Sequence, residues 1–85
     1  MKNVEIYTGP ICAFCERAKA LLNKKGIVFK EINIALDSDK MEEMIKRSNG
    51  KRTIPQIFID GQHIGGNDSL QTLENKGKLN GLLGI

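Results

Sequence analysis

The chain has no tryptophan, one tyrosine, one histidine, two prolines and only two cysteines. Each scarcity excludes something. Two cysteines cannot build the multi-disulfide framework of a small secreted domain, whereas a lone pair in a reducing compartment is a candidate for redox catalysis or metal binding. A closed zinc site needs four ligands. With His63 the only histidine and no second cysteine pair, a single chain is not expected to form one. No apolar run approaches the ~18 residues of a membrane span, and Met1-Lys2-Asn3-Val4-Glu5 leads into an alternating segment without the apolar core of a signal peptide. The expectation is a cytoplasmic protein with no membrane partner. Eighty-five residues, 40% of them hydrophobic, make a single domain over 1–85, and a chain of this size buries only roughly 60 to 65% of its unfolded surface. The net charge of +3 is mild, and the basic pairs Lys24-Lys25, Lys46-Arg47 and Lys51-Arg52 are scattered without aromatic interleaving. Nucleic-acid binding therefore has no footing. These charges read as solvated faces, with a modest basic rim that suits a small substrate bearing carboxylates.

What is present concentrates in Thr8-Gly9-Pro10-Ile11-Cys12-Ala13-Phe14-Cys15, where both cysteines stand three residues apart. Val4-Glu5-Ile6-Tyr7 before it alternates as a strand does. In Glu16 to Lys25 after it, Ala18, Leu21 and Leu22 recur at helical spacing. Gly9-Pro10 makes the turn. With Cys12 at the N-cap, Ala13, Phe14 and Cys15 form the first helical turn, whose N–H groups have no intrahelical partner and point at the Cys12 sulfur. Residues at i and i+3 lie roughly 5 to 6 Å apart, and a disulfide needs Cα separations of about 4.4 to 6.8 Å. The pair can close and reopen. A helix terminus stabilises a charge by about 0.3 to 2 kcal/mol, roughly one pKa unit. Direct N–H···S bonds add to this, and thiols so placed fall in a range of about 3.5 to 7.5. Cys12 is the expected attacker and Cys15 the resolver.

Along the rest of the chain, Lys24-Lys25-Gly26 is a helix stop, and Val28 to Ile34 is an imperfectly alternating second strand ending near Asn33. Asp37-Ser38-Asp39 supplies N-cap candidates, with Glu42 three residues after Asp39 as a weak capping box. Met41, Met44, Ile45 and Ser48 then give one helical face, ended by Asn49-Gly50. Lys51 to Pro55 is a loop, and Gln56-Ile57-Phe58-Ile59 is a buried strand. Asp60-Gly61 is a two-residue hairpin turn, and Gln62-His63-Ile64 the return strand. Gly65-Gly66-Asn67-Asp68-Ser69 opens a third helix that stops at Gly77, and Leu79, Leu82 and Leu83 form a closing turn. The order strand, helix, strand, helix, hairpin, helix predicts an α/β protein. Its arrangement is thioredoxin-like, a four-stranded mixed sheet flanked by helices with Cys12 at the end of a central strand.

Cys12-Ala13-Phe14-Cys15, Thr53-Ile54-Pro55 and Gly65-Gly66-Asn67-Asp68, in that order and at those spacings, resemble the small bacterial dithiol glutaredoxins nearly end to end. The resemblance implies a cis peptide bond before Pro55, facing the cysteines, where the sequence alone favours trans. It also implies that the Ile54 backbone turns outward to pair with a bound peptide in strand fashion. Glutathione is that peptide. Its γ-glutamyl carboxylate is implied to rest on the N–H groups of Asn67 and Asp68 beside Gly66, a location consistent with anion binding at helix N-termini, with Asp68 facing the ligand's ammonium group. Read as residues only, Gly65-Gly66 makes a turn and Asn67 or Asp68 caps the helix, and both roles can coexist. Two departures matter. Ala13 and Phe14 stand where many members have proline and tyrosine, so the first helical turn is freer, and Phe14 keeps a ring to flank the ligand. Gly9 stands where members often carry a lysine for the glycyl carboxylate, which leaves Lys51 or Arg52, ahead of Thr53, to compensate.

The implied activity is that of a glutathione-dependent thiol–disulfide oxidoreductase with no permanently bound cofactor and glutathione as co-substrate. It would act on disulfide-containing or glutathionylated proteins as a monomer. Two rivals share the residues. One is a dimer bridging a [2Fe-2S] cluster through Cys12 of each chain and two glutathione molecules, which members lacking the proline after the first cysteine sometimes form. The other is an electron donor served by a flavin-dependent thioredoxin reductase. His63 resembles no catalytic histidine and reads as a strand residue with a polar edge.

Overall fold

β1 (Val4–Thr8) alternates so that Val4 and Ile6 point to one side of the sheet and Tyr7 to the other, and each side collects its own core. The structure, a computed structural model, describes residues 2–85, so Met1 of the leading segment lies outside it. After β1 come α1 (Ala13–Lys24), β2 (Lys30–Asn33), α2 (Ser38–Arg47), β3 (Gln56–Ile59), β4 (Gln62–Gly65), α3 (Asn67–Asn75) and α4 (Leu79–Leu83). The strands run in the order β2-β1-β3-β4. β1 is parallel to β2 and antiparallel to β3, and β3 is antiparallel to β4. This is the mixed, helix-flanked sheet the element order predicts, with β1 in its interior.

On one face Val4, Ile6, Ile57 and Ile59 pack against Ala18 and Leu22 of α1, Leu70 of α3, and Leu79 and Leu83 of α4. On the other, Tyr7, Ile32 and Phe58 pack against Met44 of α2. Polar ties hold α2 down as well. The Arg47 guanidinium donates to both Glu5 carboxylate oxygens at 2.8 and 3.3 Å and to the Tyr7 hydroxyl at 2.7 Å. It also lies 4.1 Å from the centroid of the Phe58 ring. Tyr7 in turn donates to Glu43. Burial, then that carboxylate, push the phenol above its ordinary range.

Several boundaries differ from expectation for local reasons. β2 begins at Lys30 rather than Val28 because it is an edge strand whose extent is set by its one partner, Glu5 to Thr8 of β1. Asp37 caps α2, accepting from the N–H groups of Asp39 and Lys40 at 3.0 and 3.2 Å. That puts Lys40, not Glu42, three residues past the cap, so no capping box forms. The Asp60-Gly61 turn has φ of +51° and +79° at its two residues, the left-handed pair that a two-residue hairpin matched to strand twist requires. Among the described residues no helix is long and apolar enough to cross a membrane.

Candidate active site

β1 delivers its chain to the site through Thr8, which is 1% exposed and donates its hydroxyl to Glu31 at 2.8 Å. Lys19 of α1 grips the same carboxylate at 3.1 Å and Glu16 at 2.7 Å, tying α1 to the strand ends. The Thr8 bond and Lys19 hold the Glu31 carboxyl below its ordinary range. The Glu16 and then the Glu31 carboxylates raise the Lys19 ammonium.

The turn that follows is tight. At Gly9 a Cβ would sit 2.7 Å from Ile54 Cδ1, so any side chain there requires Ile54 to move. Ile11, fully exposed, has φ of +49°, an outlier for a β-branched residue, and it turns the chain into the helix immediately before Cys12. Cys12 is the N-cap of α1, with extended backbone and its Sγ accepting from the Cys15 N–H at 3.1 Å. Among the described residues that is the one amide reaching the sulfur, fewer than the converging first-turn set the sequence suggests. Cys12 and Cys15 are disulfide-bonded with Cα atoms 5.2 Å apart. Cys15 is 1% exposed while Cys12 is half-buried, so only one sulfur of the pair is open to attack by an incoming thiol.

The Ile54–Pro55 peptide is cis and Pro55 is buried. Ile54 O lies 3.9 Å from Cys12 Sγ, where a reduced thiol can donate to it. Among the described residues no main-chain group takes the N–H or the C=O of Ile54, which leaves a strand-like edge beside the cysteine. A groove of roughly 420 Å³ runs from this edge to the start of α3. It gathers Phe14, Lys51, Thr53, Ile54, Pro55, Gly66, Asn67 and Asp68, nearly the whole set inferred for glutathione. Arg52 is exposed and lies outside it, so of the two residues expected to compensate for Gly9 only Lys51 faces the groove.

At the far end the helix cap is Gly66, not Asn67 or Asp68, and no side chain closes the N-terminus of α3. The Asn67 side chain is instead turned along the helix, accepting from Gln71 at 3.2 Å. Asn67 and Asp68 line the groove, their N–H groups have no intramolecular partner among the described residues, and Asp68 is exposed. Gly65 shapes this end: its φ is +121°, and a Cβ there would meet Ser69 Oγ at 2.7 Å. Three features escaped the sequence reading. Gln56 and His63 line the groove. Arg17 stands 5.5 Å from the centroid of the Phe14 ring and beside Asn67 and Asp68, and its i,i+3 spacing from Phe14 is the signal that points to it.

Comparisons with known proteins agree. A family model described as Glutaredoxin matches residues 4–64. Glutaredoxin 3 of Escherichia coli K12 is 58% identical over 83 residues, covering 98% of this chain and 99% of that protein. A probable glutaredoxin of Synechocystis is 54% identical over 80 residues, covering 94% and 91%. Among solved structures, that of a glutaredoxin from Brucella melitensis superposes with a TM-score of 0.85 at 49% identity, covering 98% of this chain and 89% of that one. A buckwheat glutaredoxin–glutathione complex superposes with a TM-score of 0.87 at 30% identity, covering 98% and 77%. With more than half its residues shared with a relative of nearly the same length, and the cysteine pair where the fold places it, the chain belongs to the glutaredoxin family.

Proposed function

We propose that this protein reduces protein disulfides and glutathione mixed disulfides with electrons from glutathione, using Cys12 as nucleophile and Cys15 as resolving thiol. The observation that carries the reading is the asymmetry of the pair. The half-buried, helix-capping Cys12 stands beside an open peptide edge at Ile54, backed by Cys15, which is 1% exposed.

In the first step the Cys12 thiolate attacks a substrate disulfide, forming a Cys12 mixed disulfide and releasing one substrate thiolate. Cys15 then attacks the Cys12 sulfur, forming the Cys12–Cys15 bond and releasing the second substrate thiol. One glutathione thiolate opens that bond to give glutathionylated Cys12 and free Cys15. A second glutathione removes the glutathionyl group as glutathione disulfide and restores the dithiol. One substrate disulfide and two glutathiones become two thiols and one glutathione disulfide. For a glutathionylated substrate, Cys12 alone suffices. Glutaredoxin potentials of about −200 to −230 mV lie close to a cytosolic glutathione poise of about −220 to −260 mV, so the direction follows the pool.

The geometry supports a division of labour in the groove. The Ile54 main chain pairs with the ligand's backbone, the Asn67 and Asp68 amides receive its γ-glutamyl carboxylate, Asp68 faces its ammonium group, and Lys51 receives the glycyl carboxylate. Phe14 flanks it, with Thr53, Pro55 and Gly66 forming the walls. We place the protein in the cytoplasm, acting as a monomeric single domain over 1–85.

The test is a coupled turnover assay comparing glutathione plus glutathione reductase with thioredoxin reductase as the source of electrons. Turnover with glutathione is expected to dominate. Cys12→Ser is expected to abolish both reactions, and Cys15→Ser to spare only reduction of glutathionylated substrates. Turnover with thioredoxin reductase alone, or activity surviving Cys12→Ser, would overturn the proposal.

A further inference from the structure

His63 takes no part in the dithiol steps, yet it lies in the groove wall and is joined to the Thr53-Ile54 edge by one buried side chain. That side chain is Gln56, 2% exposed. Its Nε2 donates to Thr53 O at 3.0 Å and to Thr53 Oγ1 at 3.1 Å, while its Oε1 lies 2.7 Å from His63 Nε2. A carbonyl oxygen can only accept, so the Thr53 side of the amide must be its NH2 and the His63 side its oxygen. That oxygen also only accepts, and therefore His63 Nε2 carries the proton. The ring is held for this role by Phe58, its cross-strand partner, with centroids 5.0 Å apart.

We propose that His63 is a positioning residue, which through its Nε2–H and the buried Gln56 amide fixes the orientation of Thr53 and hence of the Ile54 edge that receives glutathione. The inference rests on the reading of this groove as the glutathione site. Moving the proton to Nδ1 would make Nε2 an acceptor. Gln56 would then have to rotate its NH2 toward the ring and set its oxygen against the Thr53 carbonyl, two acceptors in opposition. The tautomer of His63 and the setting of the loop are thus a single variable. The charged groups around the ring are Lys51 in the loop, Arg47 of α2 on the Phe58 ring, and Asp68 across the groove. Burial first, and Lys51 second, lower the imidazole below its ordinary range, so the neutral Nε2–H form prevails near pH 7.

The experiment compares His63→Phe, which keeps a ring on Phe58 but has no donor, with His63→Gln, which restores an N–H. Losing one hydrogen bond of this kind corresponds to about a tenfold change in equilibrium. The glutathione KM of His63→Phe is expected to rise by about that factor with kcat within twofold, and His63→Gln to recover most of the loss. Nitrogen NMR of the unaltered protein is expected to show Nε2 protonated and Nδ1 bare. If His63→Phe does not fold, Gln56→Met breaks the relay from its other end and is expected to raise KM alike. A KM unmoved in these variants, or the Nδ1–H tautomer, would overturn the proposal. If the unaltered protein shows no turnover with glutathione, the reading of the groove fails instead. The relay is then judged by the Gln56 side-chain NH2 resonances, which must shift in His63→Phe and would refute it by staying in place.

Discussion

Gly65→Ala tests whether the end of the groove is set by backbone geometry. At φ of +121° an L side chain is strained, and residues in such regions cost of order 1 to 3 kcal/mol. The new Cβ would also stand 2.7 Å from Ser69 Oγ and 3.1 Å from Ser69 Cβ. Rotating the serine relieves the first contact but not the second, which leaves overpacking of about 1 kcal/mol. The sum is about 3 kcal/mol. For a domain of this length roughly 4 to 8 °C accompany each kcal/mol, so thermal unfolding followed by circular dichroism should show Tm lower by roughly 12 to 24 °C. Because Gly65 and Gly66 aim the Asn67 and Asp68 amides, the glutathione KM should rise as well. Adding Ser69→Gly removes the steric part alone, at about 0.5 to 1 kcal/mol for glycine in a helix, and so should return only a small part of the lost Tm. A Gly65→Ala protein with Tm within 2 °C of the original, at roughly 0.5 kcal/mol, and an unchanged KM would refute the reasoning.

Arg47→Met keeps much of the packing on Phe58 but strands Glu5 and Tyr7, and hydrogen bonds to charged groups contribute about 1.5 to 3 kcal/mol. Urea denaturation should show about 2 kcal/mol lost with the activity of the folded fraction intact. Lys51→Ala should raise the glutathione KM several-fold while Arg52→Ala leaves it unchanged, because only Lys51 faces the groove; steady-state kinetics at low salt reads the difference. The Glu31 carboxyl is held below its ordinary value of about 4.5 in the folded chain, so its stabilisation is present above that pH and is lost as pH falls through the folded value. Its side chain is 40% exposed and solvent screening keeps the contribution below about 1 kcal/mol. Glu31→Gln should make the fall in Tm below pH 5 shallower without moving Tm at pH 7 by more than a few degrees.

How much of this was legible in the sequence depends on how local each feature is. The strands β1 and β3, the helices and the hairpin turn follow from periodicity and from Asp60-Gly61, and the Cys12 cap follows from the strand-to-helix junction that contains it. The start of β2 does not, because an edge strand extends only as far as its single neighbour pairs with it, here from Glu5 opposite Lys30, and Val28 is 79% exposed despite its residue type. The groove joins residues 14, 51, 53 to 55 and 66 to 68 through topology, and no spacing in the chain encodes that meeting. Its residues came from resemblance to a family and not from periodicity. The link from His63 through Gln56 to Thr53 depends on the β3–β4 register, which is interrupted between Ile57 and Phe58. A polar residue on a strand therefore read as an edge when it is in fact half of a contact. Arg52 shows the converse, since two adjacent cations are equivalent in sequence and only the loop conformation separates them.

Reaction of Cys12 with iodoacetamide in the reduced protein, followed from pH 4 to pH 10 with the modified residue identified by mass, bears most directly on the chemistry. Activation of Cys12 at the helix N-terminus predicts that Cys12 is modified before Cys15, at a rate that has already reached its plateau by neutral pH, as for thiolates stabilised at helix N-termini. A rate that keeps climbing through about pH 8.5, as for an ordinary cysteine, or equal modification of both residues would contradict it.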